Sequence, residues 1–229
     1  MLPRNAKLYV ALVIASGLAV LLFAARFWAT ADAKEFAIFL GLAALASTLK
    51  IRIPGIESTV TPNFVFLLLA VNVCRFSEVV AMAMVSAVIQ CVWRSSKRPR
   101  LVQVAFSAAV LVLSIAAAYQ LSHLLLSRNS WDSSIGTLLF AGSIYFPLNS
   151  ALVAIVIGLV SGESFRQIFA RGERLVFPYF MCGIVFAALA ASGYSASSKA
   201  AVILVPAVML AHIYFQNRST SSLTVKTTS

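Results

Sequence analysis

The sequence predicts an all-α fold: a polytopic transmembrane helical bundle of about eight helices with both termini in the cytoplasm. Three observations lead to this prediction. Hydrophobic residues make up 61% of the 229-residue chain, and its mean hydropathy is +0.93. Short polar loops divide the chain into apolar segments, several of them close to the ~20 residues that a helical span requires. Basic residues fall mainly on one side of the predicted membrane, as the positive-inside tendency expects.

The predicted helices are apolar segments that follow one another along the chain, about eight in number with six to eight as the range. They are residues 8–28, 35–49, 61–75, 78–93, 101–126, 135–160, 175–194 and 199–215. The first is predicted to be a retained helix and not a secretory signal, because its apolar run is long and Arg26 follows it before any plausible cleavage point. The second and third are short, so each needs thinned bilayer, a start within a loop, or shelter from its neighbours.

Several helix boundaries carry local signals. Thr61-Pro62-Asn63 predicts an N-cap followed by proline at the first helical position. Ser77 and Glu78 predict a cap and a carboxylate at the positive end of the next helix. Pro99 ends the basic loop before the fifth helix. These signals support the order of the third, fourth and fifth predicted helices.

Two stretches fall outside the predicted spans. Residues 163–174 predict a short amphipathic helix on the cytoplasmic surface, with Phe165, Ile168 and Phe169 on one face. Residues 216–229 are rich in Ser and Thr and predict a disordered cytoplasmic tail. The chain therefore consists of one helical bundle over residues 1–215 and a tail.

The charge of the chain is strongly basic, with 18 Lys and Arg against 7 Asp and Glu and a net charge of +11. In a membrane protein this excess marks cytoplasmic loops and meets anionic lipid head groups, so the lipid bilayer is the expected partner and nucleic acid is not. The expected location is the bacterial inner membrane. The basic residues that orient the bundle are Arg94, Lys97, Arg98, Arg100, Arg166, Arg171 and Arg174.

The sequence lacks the residues that several kinds of transporter and enzyme require. All seven carboxylates fall in loops or at helix ends, whereas proton- and sodium-coupled carriers place an ionisable residue deep in the membrane. The chain has no HExxH pair, no Gly-x-Ser-Gly and no phosphate-binding glycine loop, and His123 and His212 are far apart. Its three cysteines have neither zinc nor disulfide spacing. The sequence therefore predicts a non-enzymatic protein with no metal and no cofactor.

Uncharged polar side chains within the predicted helices are the candidate site residues, because such groups face the interior of a bundle. They are Asn149, Gln103, Gln90, Ser107, Tyr145 and Asn72. One interpretation is hydrogen bonding between helices, at ~1 kcal/mol or less per bond. The other is a pocket for a small ligand, for which Asn149 is the sharpest candidate because the nearby Pro147 frees a backbone carbonyl.

Three stretches resemble a known family. They are Ile53-Pro54-Gly55 through Thr61-Pro62-Asn63-Phe64-Val65-Phe66, then Leu101 through Phe106-Ser107, then Tyr145-Phe146-Pro147-Leu148-Asn149-Ser150. They resemble the amino-terminal multi-pass membrane module of bacterial cyclic-di-GMP signalling proteins, which precedes HD-GYP or GGDEF domains. The resemblance covers roughly residues 35–218, and it departs from the family at Ser107, where asparagine is expected. It implies a sensory or regulatory module, here without an output domain, that acts through a cytoplasmic signalling enzyme in trans.

Two alternatives stay open. A small-solute-binding membrane subunit of a transport system is also small, basic outside the bilayer and free of deep carboxylates, and it needs an ATPase partner. A structural membrane protein that only organises its neighbours needs neither a ligand nor interior amides. The sequence does not choose the ligand, the partner or the oligomeric state.

Overall fold

The computed structural model describes residues 3–30, 32–52, 59–95, 99–126 and 134–192. Within these ranges the chain forms seven helices and two short strands, which confirms the all-α class. In chain order they are α1 (Arg4–Arg26), α2 (Ala33–Thr48), β1 (Ile51–Arg52), β2 (Thr59–Val60), α3 (Asn63–Val73), α4 (Phe76–Val92), α5 (Leu101–Leu126), α6 (Ser134–Ser161) and α7 (Phe165–Ser192). The predicted helix over residues 199–215 and the predicted tail over 216–229 lie outside the described residues.

The two strands connect α2 to α3. They pair antiparallel, with Ile51 opposite Val60 and Arg52 opposite Thr59. β-Branched residues occupy three of these four positions, and such residues favour extended backbone. The chain therefore enters α3 from a short hairpin, where the sequence predicted only a polar loop.

The last described helix is longer than predicted. The expected amphipathic helix over 163–174 and the expected span over 175–194 are one continuous helix, α7. Gly162, with φ at +75°, ends the preceding helix. No comparable break follows Arg174, and the one glycine inside the first turns of α7, Gly172, costs only about 1 kcal/mol in a helix.

Three helices are long and apolar enough to cross a membrane, namely Arg4–Arg26, Leu101–Leu125 and Ile135–Ser161. The first of them, α1, places small residues inward and large apolar residues outward. Ala6 and Gly17 are buried, whereas Leu12 is 67% exposed and Leu22 is 63% exposed. This arrangement is typical of a helix that packs closely on its neighbours and faces lipid on its other side.

The short helix α3 lies at the centre of the described bundle. Its 11 residues span ~16 Å, about half the thickness of a bilayer core. Residues 63–71 are all buried, and α3 packs against α2, α4, α6 and α7. Of the three explanations offered for the short third segment, the structure therefore favours shelter by neighbouring helices.

The contact between α1 and α5 is close because of one glycine. A Cβ on Gly17 would lie 2.6 Å from the Cβ and 2.7 Å from the Cα of Ala109. Near this crossing the Tyr9 hydroxyl donates a hydrogen bond to the Leu152 carbonyl of α6, at 2.9 Å. These contacts join α1 to two helices of the bundle.

Replacement of Gly17 by alanine is expected to lower the free energy of unfolding by about 1–3 kcal/mol, because the added methyl group would push α1 away from the α5 backbone. The matched control is Gly41→Ala in α2, where no atom lies within 4 Å of the added Cβ. Thermal unfolding of both variants in one detergent measures the difference. Equal midpoints would contradict the described α1–α5 contact.

Candidate functional site at the two ends of α3

Buried polar side chains gather at both ends of α3. Thr61 and Asn63 lie at its start, and Ser77 and Glu78 lie beyond its last turn. Because residues 64–71 between these ends are apolar and buried, the two ends are separate polar sites within one apolar core.

At the start of α3 the helix end itself is buried. The N-cap residue is Pro62, whose side chain makes no capping hydrogen bond, and the adjacent Thr61 and Asn63 are almost fully buried. Thr61 was predicted to cap the helix backbone. Instead, its hydroxyl donates to Oδ1 of Asn63 at 2.9 Å. Helix α3 begins one residue later than predicted. Pro62 therefore takes the N-cap position, and Thr61 lies one residue too early to cap the helix.

The amide of Asn63 is held with its nitrogen unpaired. Asn63 is 3% exposed, its Oδ1 accepts the hydrogen bond from Thr61, and its Nδ2 has no hydrogen-bond partner in the described structure. An unpaired buried donor costs about 1–3 kcal/mol. The side chain therefore presents two N–H groups that the described residues leave unsatisfied.

Ser86 of α4 is a second unpaired polar group in the described core. It is 0% exposed, and its Oγ has no hydrogen-bond partner among the described residues.

Aromatic side chains form a wall beside the start of α3. The rings of Phe64 and Phe180 stack with centroids 4.0 Å apart, and Tyr145 stacks on Phe180 at 5.5 Å. Phe146 adds a third contact to Phe180 at 4.6 Å. Gly183 permits this cluster, because a Cβ there would lie 2.3 Å from the Phe64 ring. The wall brings the stretch after Thr61 and the stretch after Tyr145, which the sequence singled out separately, into one place.

At the far end of α3, Glu78 is the only carboxylate among the described buried residues. It is 0% exposed, and its Oε2 accepts a hydrogen bond from the Arg75 backbone N–H at 2.7 Å. Its Oε1 has no partner in the described structure. The helix-end position was predicted from the sequence. The complete burial was not, because it results from the packing of α2, α3 and α5 around the start of α4.

Ser77 has a different role from the predicted cap. It lies inside α4, which begins at Phe76. Its Oγ accepts from the Ala29 N–H at 3.2 Å and donates to the Ala29 carbonyl at 2.9 Å. This pair of hydrogen bonds ties the segment after α1 to the start of α4.

The structure distributes the sequence-predicted site residues over several places. Tyr145 is buried in the aromatic wall, and Asn149 lies one turn further along α6, half-buried. Gln90 is half-buried one turn beyond Ser86 on α4. Ser107 is half-buried on α5, and Asn72 is half-buried in the last turn of α3. The ring contacts place Tyr145 beside the start of α3, and Asn72 lies at the opposite end of this helix.

Gln103 does not line the interior. It is exposed in the first turn of α5, where its Oε1 accepts from the Arg100 backbone N–H at 3.0 Å. Gln three residues after a helix N-cap is one half of a capping box, and the preceding Pro99 marked the helix start. The sequence thus contained the signal for this role.

The predicted orienting cations are exposed wherever their side chains are described, which is the case for Arg94, Arg100 and Arg166. Arg94 has φ at 44° and follows the end of α4. Arg171 and Arg174 are described as backbone within α7, and Lys97 and Arg98 lie outside the described residues. Among the described residues no three His, Cys, Asp or Glu side chains converge on a point that could hold a metal ion.

Replacement of Glu78 by alanine is expected to destabilise the bundle by about 1–2 kcal/mol, because the Arg75 N–H loses its acceptor at a partly buried helix end. Glu78→Gln keeps an acceptor oxygen of the same size, so its loss is expected to be less than half as large. Thermal unfolding in one detergent compares the two. If Glu78→Gln were as unstable as Glu78→Ala, the charge and not the cap would carry the stabilisation.

Comparisons with known proteins give no match for this geometry. No protein-family model, no curated protein and no solved structure matches the chain. The function is therefore inferred from the residues of the chain itself.

Proposed function

We propose that the chain is a multi-pass, non-enzymatic protein of the bacterial inner membrane, a sensory or regulatory module that binds a small molecule at the start of α3. Both termini are placed in the cytoplasm, and the module acts through a cytoplasmic signalling enzyme. The resemblance to the membrane module of cyclic-di-GMP signalling proteins suggests that this partner enzyme makes or degrades cyclic-di-GMP. The buried polar groups suggest where the small molecule binds.

The single observation that carries this proposal is the pair of unpaired groups, Asn63 Nδ2 and Ser86 Oγ, in the core. Buried polar side chains in native proteins are nearly always hydrogen-bonded, and exceptions point to a function or to a bound molecule. Two such exceptions in one core, one of them at a helix start that no side chain caps, favour a ligand that supplies the missing hydrogen bonds.

The membrane part of the proposal is supported by composition and by exposure. Three helices have the length and apolar character of spans, and α1 exposes its leucines while it buries Ala6 and Gly17. The basic residues Arg94, Arg100 and Arg166 follow or precede helices at the end of the bundle that would face the cytoplasm. The inner membrane is the location that fits this pattern.

The position of α3 gives a physical route from binding to signalling. The helix packs against α2, α4, α6 and α7, so a molecule that orders its start biases the packing of four helices at once. One of these, α7, begins with the exposed Phe165 and Arg166 at the predicted cytoplasmic surface. A partner that contacts α7 would respond to occupancy of the site.

Purified in mild detergent and examined by native mass spectrometry, the wild-type chain is expected to retain a small molecule. Asn63→Leu is expected to lose it, because leucine fills the volume of asparagine without a donor. Ser114→Ala is the control, since Ser114 is equally buried but its Oγ already donates to the Val110 carbonyl at 2.8 Å. Equal retention by all three chains would contradict a ligand site at the start of α3.

Proteins that co-purify with the chain distinguish the proposed module from a transport subunit. A cyclic-di-GMP enzyme or a kinase supports the sensory module. An ATPase together with a retained solute would contradict the sensory module and support a transport subunit, which would use the same ligand site.

The proposed topology predicts opposite accessibility for two exposed residues, Lys34 in the first turn of α2 and Glu163 before α7. In a chain freed of Cys74, Cys91 and Cys182, Lys34→Cys is expected to react with a membrane-impermeant maleimide in intact spheroplasts. Glu163→Cys is expected to react only after permeabilisation. The reverse result would invert the bundle, and reaction of both in intact spheroplasts would contradict the multi-pass topology.

A further inference from the structure

The charged side chains divide unequally between the two ends of the helical bundle. One end, which we call the basic end, has five exposed cations: Arg4, Lys7, Arg94, Arg100 and Arg166. We infer that the basic end binds anionic phospholipids, with their phosphate groups on these cations and their acyl chains against the apolar side chains beside them. The inference rests on the proposed membrane location and is independent of the proposed ligand site.

Direct contacts bring the start of α1, the start of α5 and the last turns of α6 together. The Tyr9 ring lies 6.3 Å from the Phe106 ring in the second turn of α5. The Tyr9 hydroxyl also donates to the Leu152 carbonyl of α6. Lys7 precedes Tyr9 by two residues, and Arg100 immediately precedes α5. Lys7 and Arg100 therefore lie at one end of the bundle, although they are far apart in the sequence.

Two helix pairs bring the remaining cations to the same end. The ring of Phe76, the first residue of α4, lies 5.5 Å from the ring of Tyr119 in the second half of α5. Helices α4 and α5 are therefore antiparallel, and Arg94, just after α4, lies beside the start of α5. The end of α6 packs against the start of α7, since a Cβ on Gly158 would lie 3.5 Å from Cδ1 of Ile168.

The opposite end of the bundle has no such excess of positive charge among the described residues. It contains the end of α1 and the starts of α2 and α4, which the contact between Phe23 and Phe76 joins at 6.2 Å. Its three described cations are matched by three carboxylates, namely Arg26, Lys34 and Arg75 with Asp32, Glu35 and Glu78. At the basic end the described side chains include one carboxylate, Glu163. An anionic surface is therefore attracted to one end and not to the other.

Exposed apolar side chains accompany the cations of the basic end. Four of the five cations have a large exposed apolar residue next to them in the sequence, and Leu101 is 86% exposed. These neighbours are Leu8, Trp93, Leu101 and Phe165. Such pairs are typical of a membrane–water boundary, where the apolar side chain enters the lipid and the cation reaches the head groups.

This pairing favours lipid over an acidic protein as the occupant of the basic end. An acidic protein surface would meet the cations but would leave the apolar neighbours without a matching surface. A phospholipid offers a phosphate and an acyl chain in one molecule. An anionic phospholipid gains most, because a zwitterionic head group brings its own cation next to the phosphate.

The test reconstitutes the full chain in nanodiscs with equal amounts of phosphatidylcholine and phosphatidylglycerol, releases it into detergent and measures the retained lipids by native mass spectrometry. Phosphatidylglycerol is expected to be retained in excess over phosphatidylcholine. The excess is expected to decrease as the salt concentration rises, because salt screens exposed charges.

Two triple variants test where the lipid binds. Lys7→Gln, Arg100→Gln and Arg166→Gln together are expected to lower the ratio of retained phosphatidylglycerol to phosphatidylcholine about five-fold for each cation removed. The matched control combines Arg26→Gln, Lys34→Gln and Arg75→Gln, which removes the same charge from the opposite end and is expected to leave the ratio at its wild-type value. If the first triple variant does not insert, Arg100→Gln alone is compared with Arg100→Lys, which keeps the charge and is expected to keep the ratio.

Four results would overturn the inference. Equal retention of the two lipids by the wild-type chain would do so and would leave the membrane location intact. An equal loss in both triple variants, or in both single variants at Arg100, would show that the basic end is not the binding surface. An acidic protein that the wild-type chain binds and the first triple variant loses, without any lipid preference, would make this end a protein-docking surface. A chain that enters no nanodisc would contradict the membrane location as well.

Discussion

The burial of a short helix is the constraint on which the rest of the described structure depends. α3 is too short to cross a bilayer core and is covered by other helices along residues 63–71. Thr61 and Asn63 at its start and Ser77 and Glu78 beyond its last turn are buried, so their polar groups must be satisfied from within the protein. The chain does this only in part at each end. Glu78 accepts from the Arg75 N–H and Ser77 bonds Ala29 at the far end, but Oε1 of Glu78 has no partner in the described structure. Thr61 bonds Asn63 at the start, but Nδ2 of Asn63 has none.

Close helix packing around α3 requires small residues at particular points. Gly183 lets α7 lie against the Phe64 ring, and Gly142 lies under the side chain of Ile184. Gly17 allows an equally close approach between α1 and α5. In lipid, where apolar burial drives association less than in water, such contacts supply much of the stabilisation through van der Waals packing. The aromatic wall therefore depends on glycines that have no polar function.

Composition was enough to predict the long elements. The apolar segments 101–126 and 135–160 agree closely with α5 and α6, because ~20 or more apolar residues between polar loops have few other stable conformations. The capping role of Gln103 was also predictable, because it follows from the spacing between Gln103 and Arg100. The roles of Ser86 and Glu78 were not predictable in this way. A single serine in an apolar helix gives no signal, and the burial of a carboxylate at a helix start depends on which helices pack around it.

The two ends of α3 are complementary in their unmet hydrogen bonding. The start holds a donor without an acceptor, Asn63 Nδ2, and the far end holds an acceptor without a donor, Glu78 Oε1. The negative charge at the far end lies at the positive end of α4, which stabilises it. The start of α3 has the same helix-end dipole but no carboxylate of its own in the described structure. The proposed ligand would complete the hydrogen bonding that Asn63 lacks, and the ordering of the central helix would then depend on a molecule that can leave.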